Sequence, residues 1–146
     1  MSWLPKKTII VPTDFSDPSV EAIRTALELV DNPADVHVLH VLAEIEHSAP
    51  AVLFGDFDDE TRKHRAGEYL SNFMQRHELR GTTELVRVGN PGIVISDYAN
   101  ESGAELVVIP SHGRHGLRRV LLGSVAERVI RHTECPVLVL RRLNTD

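Results

Sequence analysis

Thr8-Ile-Ile-Val-Pro-Thr-Asp-Phe-Ser-Asp-Pro18 decides the fold. Its first half is short, uncharged and β-branched. That reads as a strand buried on both faces, as in a parallel sheet. The strand ends at Pro12-Thr13-Asp14, and Asp17-Pro18 then reads as a helix start with proline at the first helical position. Val20, Ile23, Leu27 and Val30 follow at helical spacing, so this helix covers the sheet. Asn32-Pro33 breaks it.

Outward from there the same alternation repeats. Val36-His-Val-Leu-His-Val-Leu42 is a second strand. A connection over about residues 43–57 holds Pro50 and Gly55, and its apolar Val52, Leu53 and Phe54 predict that it folds back onto the protein. Asp58 to His77 predicts a second helix with Tyr69, Leu70, Phe73 and Met74 as its apolar stripe. Glu84-Leu-Val-Arg-Val88 is a third strand, and the turn Gly89-Asn90-Pro91 opens a third helix that ends near Ser102-Gly103. Glu105-Leu-Val-Val-Ile109 is a fourth strand, Pro110 to Leu122 a loop, Ser124 to His132 a fourth helix, and Pro136-Val-Leu-Val-Leu140 a fifth strand. The order βαβαβαβαβ with right-handed crossovers predicts a doubly wound parallel sheet. Ligands of such sheets bind beyond the carboxyl ends of the strands, where the winding reverses, which selects the loops after strands one and four.

The chain has 146 residues, which suits one domain over residues 1–146. Its net charge of -5 makes it a poor wrapper of nucleic acid, because phosphate neutralisation needs clustered Lys and Arg. A small anion needs only one local patch. The lone Cys135 allows no disulfide within the chain, and the start Met1-Ser-Trp-Leu-Pro-Lys-Lys7 lacks the apolar stretch of a signal peptide. No run approaches a membrane span, so the expected location is the cytoplasm.

The loop after strand four, with the start of the next helix, carries the chemistry: Ser111-His-Gly-Arg-His-Gly-Leu-Arg-Arg-Val-Leu-Leu-Gly-Ser124. Gly113 and Gly116 allow close backbone approach. Gly123-Ser124 falls where the fourth helix begins, so free N–H groups and the positive dipole end would face a ligand. Arg114, Arg118 and Arg119 add positive charge. The structural alternative is that Ser124-Val-Ala-Glu127 forms a capping box, which stabilises a helix start with no ligand. In the loop after strand one, Asp14 stands at the strand's carboxyl end. It could take ribose hydroxyls or a phosphate-bound Mg²⁺, or it could serve the helix cap together with Ser16 or Asp17. Neither a G-x-x-x-x-G-K-[ST] loop nor a G-x-G-x-x-G after the first strand is present, which excludes the P-loop NTPases and disfavours a dinucleotide oxidoreductase.

Several stretches taken together resemble the universal stress protein family. They are Pro12-Thr-Asp-Phe-Ser16, His40-Val41, Gly89-Asn-Pro91, Ser111-His-Gly-Arg followed by Leu-Leu-Gly-Ser-Val-Ala-Glu127, and Cys135-Pro-Val-Leu-Val139. The resemblance covers nearly the whole chain. It implies a Rossmann-like, adenine nucleotide alpha hydrolase-like α/β fold: five parallel strands in the order 3-2-1-4-5, with helices on both faces. It also implies a homodimer, and in the nucleotide-binding branch a G-x-x-G-x9-G-[ST] motif that holds ATP. Gly113 matches the second glycine, and Gly123 and Ser124 match the closing pair. Thr13 and Asp14 match positions near adenine and ribose, and Val41 one whose backbone recognises adenine. The implied nucleotide set is Pro12, Thr13, Asp14, Val41, Ile109, Pro110, Ser111, His112, Gly113, Arg114, Gly116, Gly123, Ser124 and Val125, with Asp14 the candidate for Mg²⁺. The ligand is ATP, or AMP or ADP.

One position departs from that pattern. Pro110 stands at the first motif glycine, and it has no N–H. Losing a hydrogen bond there costs roughly 1–3 kcal/mol, about 6- to 150-fold in affinity. The expectation is a site intact at its phosphate end and weakened at its ribose end.

The eight histidines include His112 and His115 in one loop and His37 and His40 on one strand. The strand pair is three apart, so those side chains point to opposite faces, and no zinc spacing is present. The fifth strand, Val137, Leu138, Val139 and Leu140, would be an apolar sheet edge in the implied order. Pairing with its own copy would close that edge. No general base, nucleophile or arginine finger for rapid phosphoryl transfer is evident. The expected function is therefore a nucleotide-binding stress sensor or regulator. The alternatives are a slow ATPase using Asp14 and Mg²⁺, or a nucleotide-free dimer acting through protein contacts.

Overall fold

The β-branched runs form the strands and the 3.6-period segments form the helices, in a computed structural model that describes residues 2–45, 58–111 and 123–141. The elements are β1 (Ile9–Pro12), α1 (Asp17–Glu28), a 3₁₀ turn (Pro33–Asp35), β2 (Val36–Leu42), α2 (Asp59–Arg76), β3 (Thr83–Val88), α3 (Pro91–Glu101), β4 (Leu106–Pro110), α4 (Ser124–His132) and β5 (Val137–Leu140). All registered strand pairs are parallel, and the sheet order is β3-β2-β1-β4-β5. The fold is the one expected.

Alternation along each strand splits the core into two layers. Ile9, Val11, Val36, Val38 and Val108 face α1 and α2, where Ile23, Leu70, Phe73 and Met74 meet them. Ile10, Leu39, Val107 and Ile109 face α3 and α4, where Ile95, Ala99 and Val129 meet them. Strands buried on both sides need uncharged runs, and this is why β1 and β4 read so plainly. Each fully buried aliphatic side chain contributes about 1.5–3 kcal/mol.

Several details differ from expectation. Pro110 is the last residue of β4 rather than part of a loop. Pro18 is the second helical residue of α1, not the first. Val30 lies beyond α1 and pairs in an isolated bridge with Lys6. Tyr69 is 50% exposed, because the stripe of α2 narrows to Leu70, Phe73 and Met74. The folded-back connection predicted around Val52, Leu53 and Phe54 lies outside the described residues. Gly89 is required where it stands. Its φ is +149°, and a Cβ there would come within 2.7 Å of Val94 Cγ2.

Candidate functional site

The site begins where β1 and β4 stop pairing. The β1–β2 register runs through Pro12↔Leu39, and β4–β5 runs through Pro110↔Leu140. Between β1 and β4 only Ile9↔Leu106 and Ile10↔Val107 are in register. Backbone parity gives the reason. The Thr13 N–H bonds the Leu39 carbonyl, so odd residues of β1 face β2, and Ile10 and Pro12 face β4. The Val107 and Ser111 N–H groups bond Pro136 and Leu140, so Val108 and Pro110 face β1. The next two donors of the ladder would be the nitrogens of Pro12 and Pro110, and neither carries a hydrogen. The ladder between the two strands therefore stops at the point where the winding reverses. Two carbonyls, those of Pro12 and Val108, face the gap with no ladder donor opposite.

The turn after β1 is closed on itself. Ser19 Oγ spends its one hydrogen on the Ser16 carbonyl at 2.7 Å. Its 2.8 Å contact with Thr13 Oγ1 therefore takes the hydrogen from Thr13. Thr13 Oγ1 also accepts the Phe15 N–H at 3.0 Å. The Thr13 carbonyl accepts from His40 Nδ1 at 2.8 Å, which fixes the hydrogen of that ring on Nδ1. Asp14 Oδ1 accepts both the Ser16 N–H, at 3.1 Å, and the Ser16 hydroxyl. Ser16, not Asp14 or Asp17, caps α1, accepting from the Ser19 N–H. Phe15 has a φ of 65°, a conformation that costs a non-glycine residue about 1–2 kcal/mol. Its ring offsets that cost against His40 at 4.4 Å, Tyr69 at 4.6 Å and Phe73 at 5.3 Å. Sequence reading found Thr13 and Asp14 but missed Phe15 and His40. The visible signal was Asp14-x-Ser16, an Asx turn.

The start of α4 is built differently. Its N-cap is Gly123, which has no side chain to offer, so the expected Ser124–Glu127 capping box does not form. Glu127 instead pairs with Arg131 at 2.6 Å. The helix spans Ser124–His132 as expected, and the Ser111 carbonyl accepts the Gly123 N–H at 2.9 Å, closing the base of the loop. The Gly123 carbonyl then accepts from Glu127 N–H and begins the helix. Ser124 and Val125 occupy the first two helical positions, whose N–H groups have no acceptor inside a helix. The Ser124 side chain is exposed.

Val41 supplies the third wall. The Leu42 carbonyl accepts Gly89 N–H on the β3 side, so the N–H and carbonyl of Val41 turn toward β1. β1 has already ended there, its last pair being Pro12↔Leu39. Topology thus brings Pro12, Thr13, Asp14, Val41, Ile109, Pro110, Ser111, Gly123, Ser124 and Val125 to one end of the sheet. His112, Gly113, Arg114 and Gly116 lie outside the described residues.

The histidine strand pair behaves as expected. His40 faces the α1–α2 layer, while His37 Nδ1 meets the Tyr98 hydroxyl at 2.6 Å on the α3 side. Burial lowers the His37 pKa against the pull of Asp35, and it raises that of Tyr98 against Arg87. Burial also raises the Cys135 thiol pKa, which suits an unreactive side chain. No group of three or more His, Cys, Asp or Glu among the described residues could hold a metal ion, and no described helix is long and apolar enough to cross a membrane.

The fold is a doubly wound α/β sheet in which the β1–β4 ladder stops short of a glycine-capped helix start. Residues 6–141 match the Universal stress protein family, and the chain belongs to that family. It is 36% identical over 141 residues to universal stress protein MJ0531 of Methanocaldococcus jannaschii, covering 93% of this chain and 82% of that protein. The solved structure of hypothetical protein MJ0577, from the same organism, superposes with a TM-score of 0.76 at 29% identity, covering 97% of this chain and 100% of the other. A family member from Arabidopsis thaliana, solved with AMP bound, shares the fold with a TM-score of 0.57 at 21% identity, covering 94% and 93%.

Proposed function

We propose that the β1–β4 crevice binds an adenine nucleotide, ATP or its relatives AMP and ADP, in a homodimeric stress-response regulator. The observation that carries this reading is the start of α4, a helix N-terminus capped by glycine at the winding reversal of the sheet. Phosphates would lie on the Ser124 and Val125 N–H groups, with Gly113, Gly116, His112 and Arg114 completing the cradle. Adenine would lie along the Val41 backbone. The Pro12 and Val108 carbonyls suit ribose hydroxyls, which can donate. The AMP-bound relative supports the same ligand class.

Asp14 is the residue that would meet a phosphate-bound Mg²⁺. One carboxylate with phosphates and water is coordination that Mg²⁺ accepts. Its Oδ1 already receives two donors from Ser16, so the turn would hold that oxygen in a fixed orientation. Bound Mg²⁺ would neutralise phosphate charge.

The dimer would form through β5. That strand is an edge of the sheet, and Leu138 is 36% exposed on it. Pairing Val137, Leu138, Val139 and Leu140 with a second copy would cover the apolar edge. Light scattering should return a dimer mass at micromolar concentration, and a monomer mass would refute this part.

Isothermal titration with ATP and AMP tests the ligand. ATP should bind more tightly, and equal affinities would contradict a phosphate grip. Pro110→Gly removes the ring and restores an N–H, and a donor free to meet the ribose should tighten AMP by roughly 6- to 150-fold. Unchanged affinity would show that the restored N–H pairs with the Pro12 carbonyl or that this position does not touch the ligand.

A further inference from the structure

Four residues with hydroxyl side chains are buried among the described residues: Thr13, Ser19, Ser96 and Ser111. Three of them are paired inside the chain. Thr13 and Ser19 bond one another, and Ser19 also bonds the Ser16 carbonyl. The Ser96 hydroxyl bonds the Gly92 carbonyl at 2.8 Å. The Ser111 hydroxyl has no hydrogen-bond partner among the described residues, although Ser111 is only 8% exposed. A buried hydroxyl left unpaired is costly, and alanine at the same place would avoid that cost. Thr82 and Thr133 also hold unpaired hydroxyls, but at the amino ends of β3 and β5, away from the crevice.

Strand alternation fixes the side on which that hydroxyl lies. Val108 packs in the α1–α2 layer and Ile109 in the α3–α4 layer. The Ser111 N–H continues the ladder to the Leu140 carbonyl at 2.9 Å, so the alternation reaches Ser111 and puts its side chain on the α3–α4 side. The Ser111 carbonyl also holds the Gly123 N–H, so α4 begins directly beside this residue. α4 is nine residues long, and no side chain caps its start. The unpaired hydroxyl and the helix-start N–H groups of Ser124 and Val125 therefore belong to one corner of the crevice. The N–H groups only donate, while a hydroxyl can donate or accept. A group that satisfies all three must present acceptor oxygens close together, as a phosphate does and a cation does not.

We propose that Ser111 is a further ligand residue of this site, its hydroxyl donating to the same phosphate group that meets the Ser124 and Val125 N–H groups. The inference rests on the reading of the crevice as a nucleotide site, and it assigns the phosphate end a side chain as well as backbone. A hydroxyl bonded to a phosphate oxygen makes a charge-assisted hydrogen bond, stronger than one to a neutral acceptor. Without ligand the same hydroxyl adds nothing to the fold, because it bonds no other part of the described chain. Ser111 therefore acts on phosphate-bearing ligands and leaves the bare nucleoside alone.

Calorimetric titration of Ser111→Ala and Ser111→Cys with ATP, AMP and adenosine, beside the parent protein, tests this. Alanine removes the hydroxyl, and cysteine keeps a side chain of similar size with only a weak donor. Both variants should bind ATP and AMP about tenfold more weakly or worse, and adenosine, however weak, within about twofold of the parent. Nucleotide-free Ser111→Ala should melt no lower than the parent, because no internal hydrogen bond is lost. The inference falls if the parent binds ATP and both variants bind it equally well. It falls if adenosine weakens as much as ATP, which would put the hydroxyl on the nucleoside. It also falls if Ser111→Ala lowers the melting temperature of the nucleotide-free protein, since the hydroxyl would then serve the fold, directly or through an ordered water. A parent that binds neither ATP nor AMP removes the nucleotide reading as well, so the two failures are told apart.

Discussion

Two helices begin at the same end of this sheet, and they begin in opposite ways. The N-terminus of α1 is enclosed by its own turn: Thr13, Asp14, Ser16 and Ser19 exchange hydrogen bonds, and His40 holds the Thr13 carbonyl. The N-terminus of α4 has a glycine cap with no side-chain hydrogen bond. α2 and α3 follow α1, with Asp58 and Asn90 as side-chain caps. Side-chain caps add roughly 0.5–2 kcal/mol where a helix needs only stability. A bare start forgoes that gain and leaves N–H groups able to meet an anion.

The comparison can be broken most severely by giving α4 a cap like the others. Gly123→Asp puts a carboxylate where a phosphate would lie, with its Cβ about 3.4 Å from the Ser111 carbonyl. Nucleotide affinity should fall by more than about a hundredfold, while stability moves by only a few tenths of a kcal/mol. Calorimetric titration beside thermal melting separates the two, and wild-type binding would show that no anion sits there.

A narrower cut removes one amide N–H together with the Ser124 hydroxyl. Ser124→Pro deletes the N–H at the first helical position, where proline is tolerated. Gly123, at ψ 155°, already has the extended backbone that a residue before proline needs. The expected loss is roughly 10- to 150-fold in ATP affinity with an unchanged melting temperature. A matching loss of stability would mean that this N–H serves the fold instead.

The smallest effect on binding belongs to α1. Thr13→Val removes the hydroxyl that links Phe15 to Ser19 in a buried turn. Stability should drop by about 1–3 kcal/mol in urea unfolding. Nucleotide affinity should change much less than in Ser124→Pro, since that hydroxyl bonds Ser19 and Phe15 within its own turn. A larger loss of affinity than of stability would make Thr13 a ligand residue in its own right.

Much of this was legible in the sequence, for local reasons. Strands buried on both faces need uncharged runs, and helices over them need a 3.6-residue stripe, so Ile9–Pro12, Val36–Leu42 and Ser124–His132 declared themselves. The capping box misled because Ser124 and Glu127 have the right spacing whether or not Ser124 is the cap. Gly123, whose N–H bonds the Ser111 carbonyl, is the cap, and Ser124 is already the first helical residue. Tyr69 misled because an apolar stripe has a width that only the packed neighbours set. Phe15 carries no signal for positive φ, since its conformation is stabilised by rings on β2 and α2.

The chain by itself determined the alternation of strands and helices, the glycine at the head of α4, and the absence of an N–H at Pro12 and at Pro110. It did not determine that those two prolines share one ladder. That follows from the register Ile10↔Val107, a pairing of residues remote in sequence. Hydrogen-bond parity is a property of paired strands rather than of either strand alone, so only the assembled sheet could turn two separate prolines into one opening.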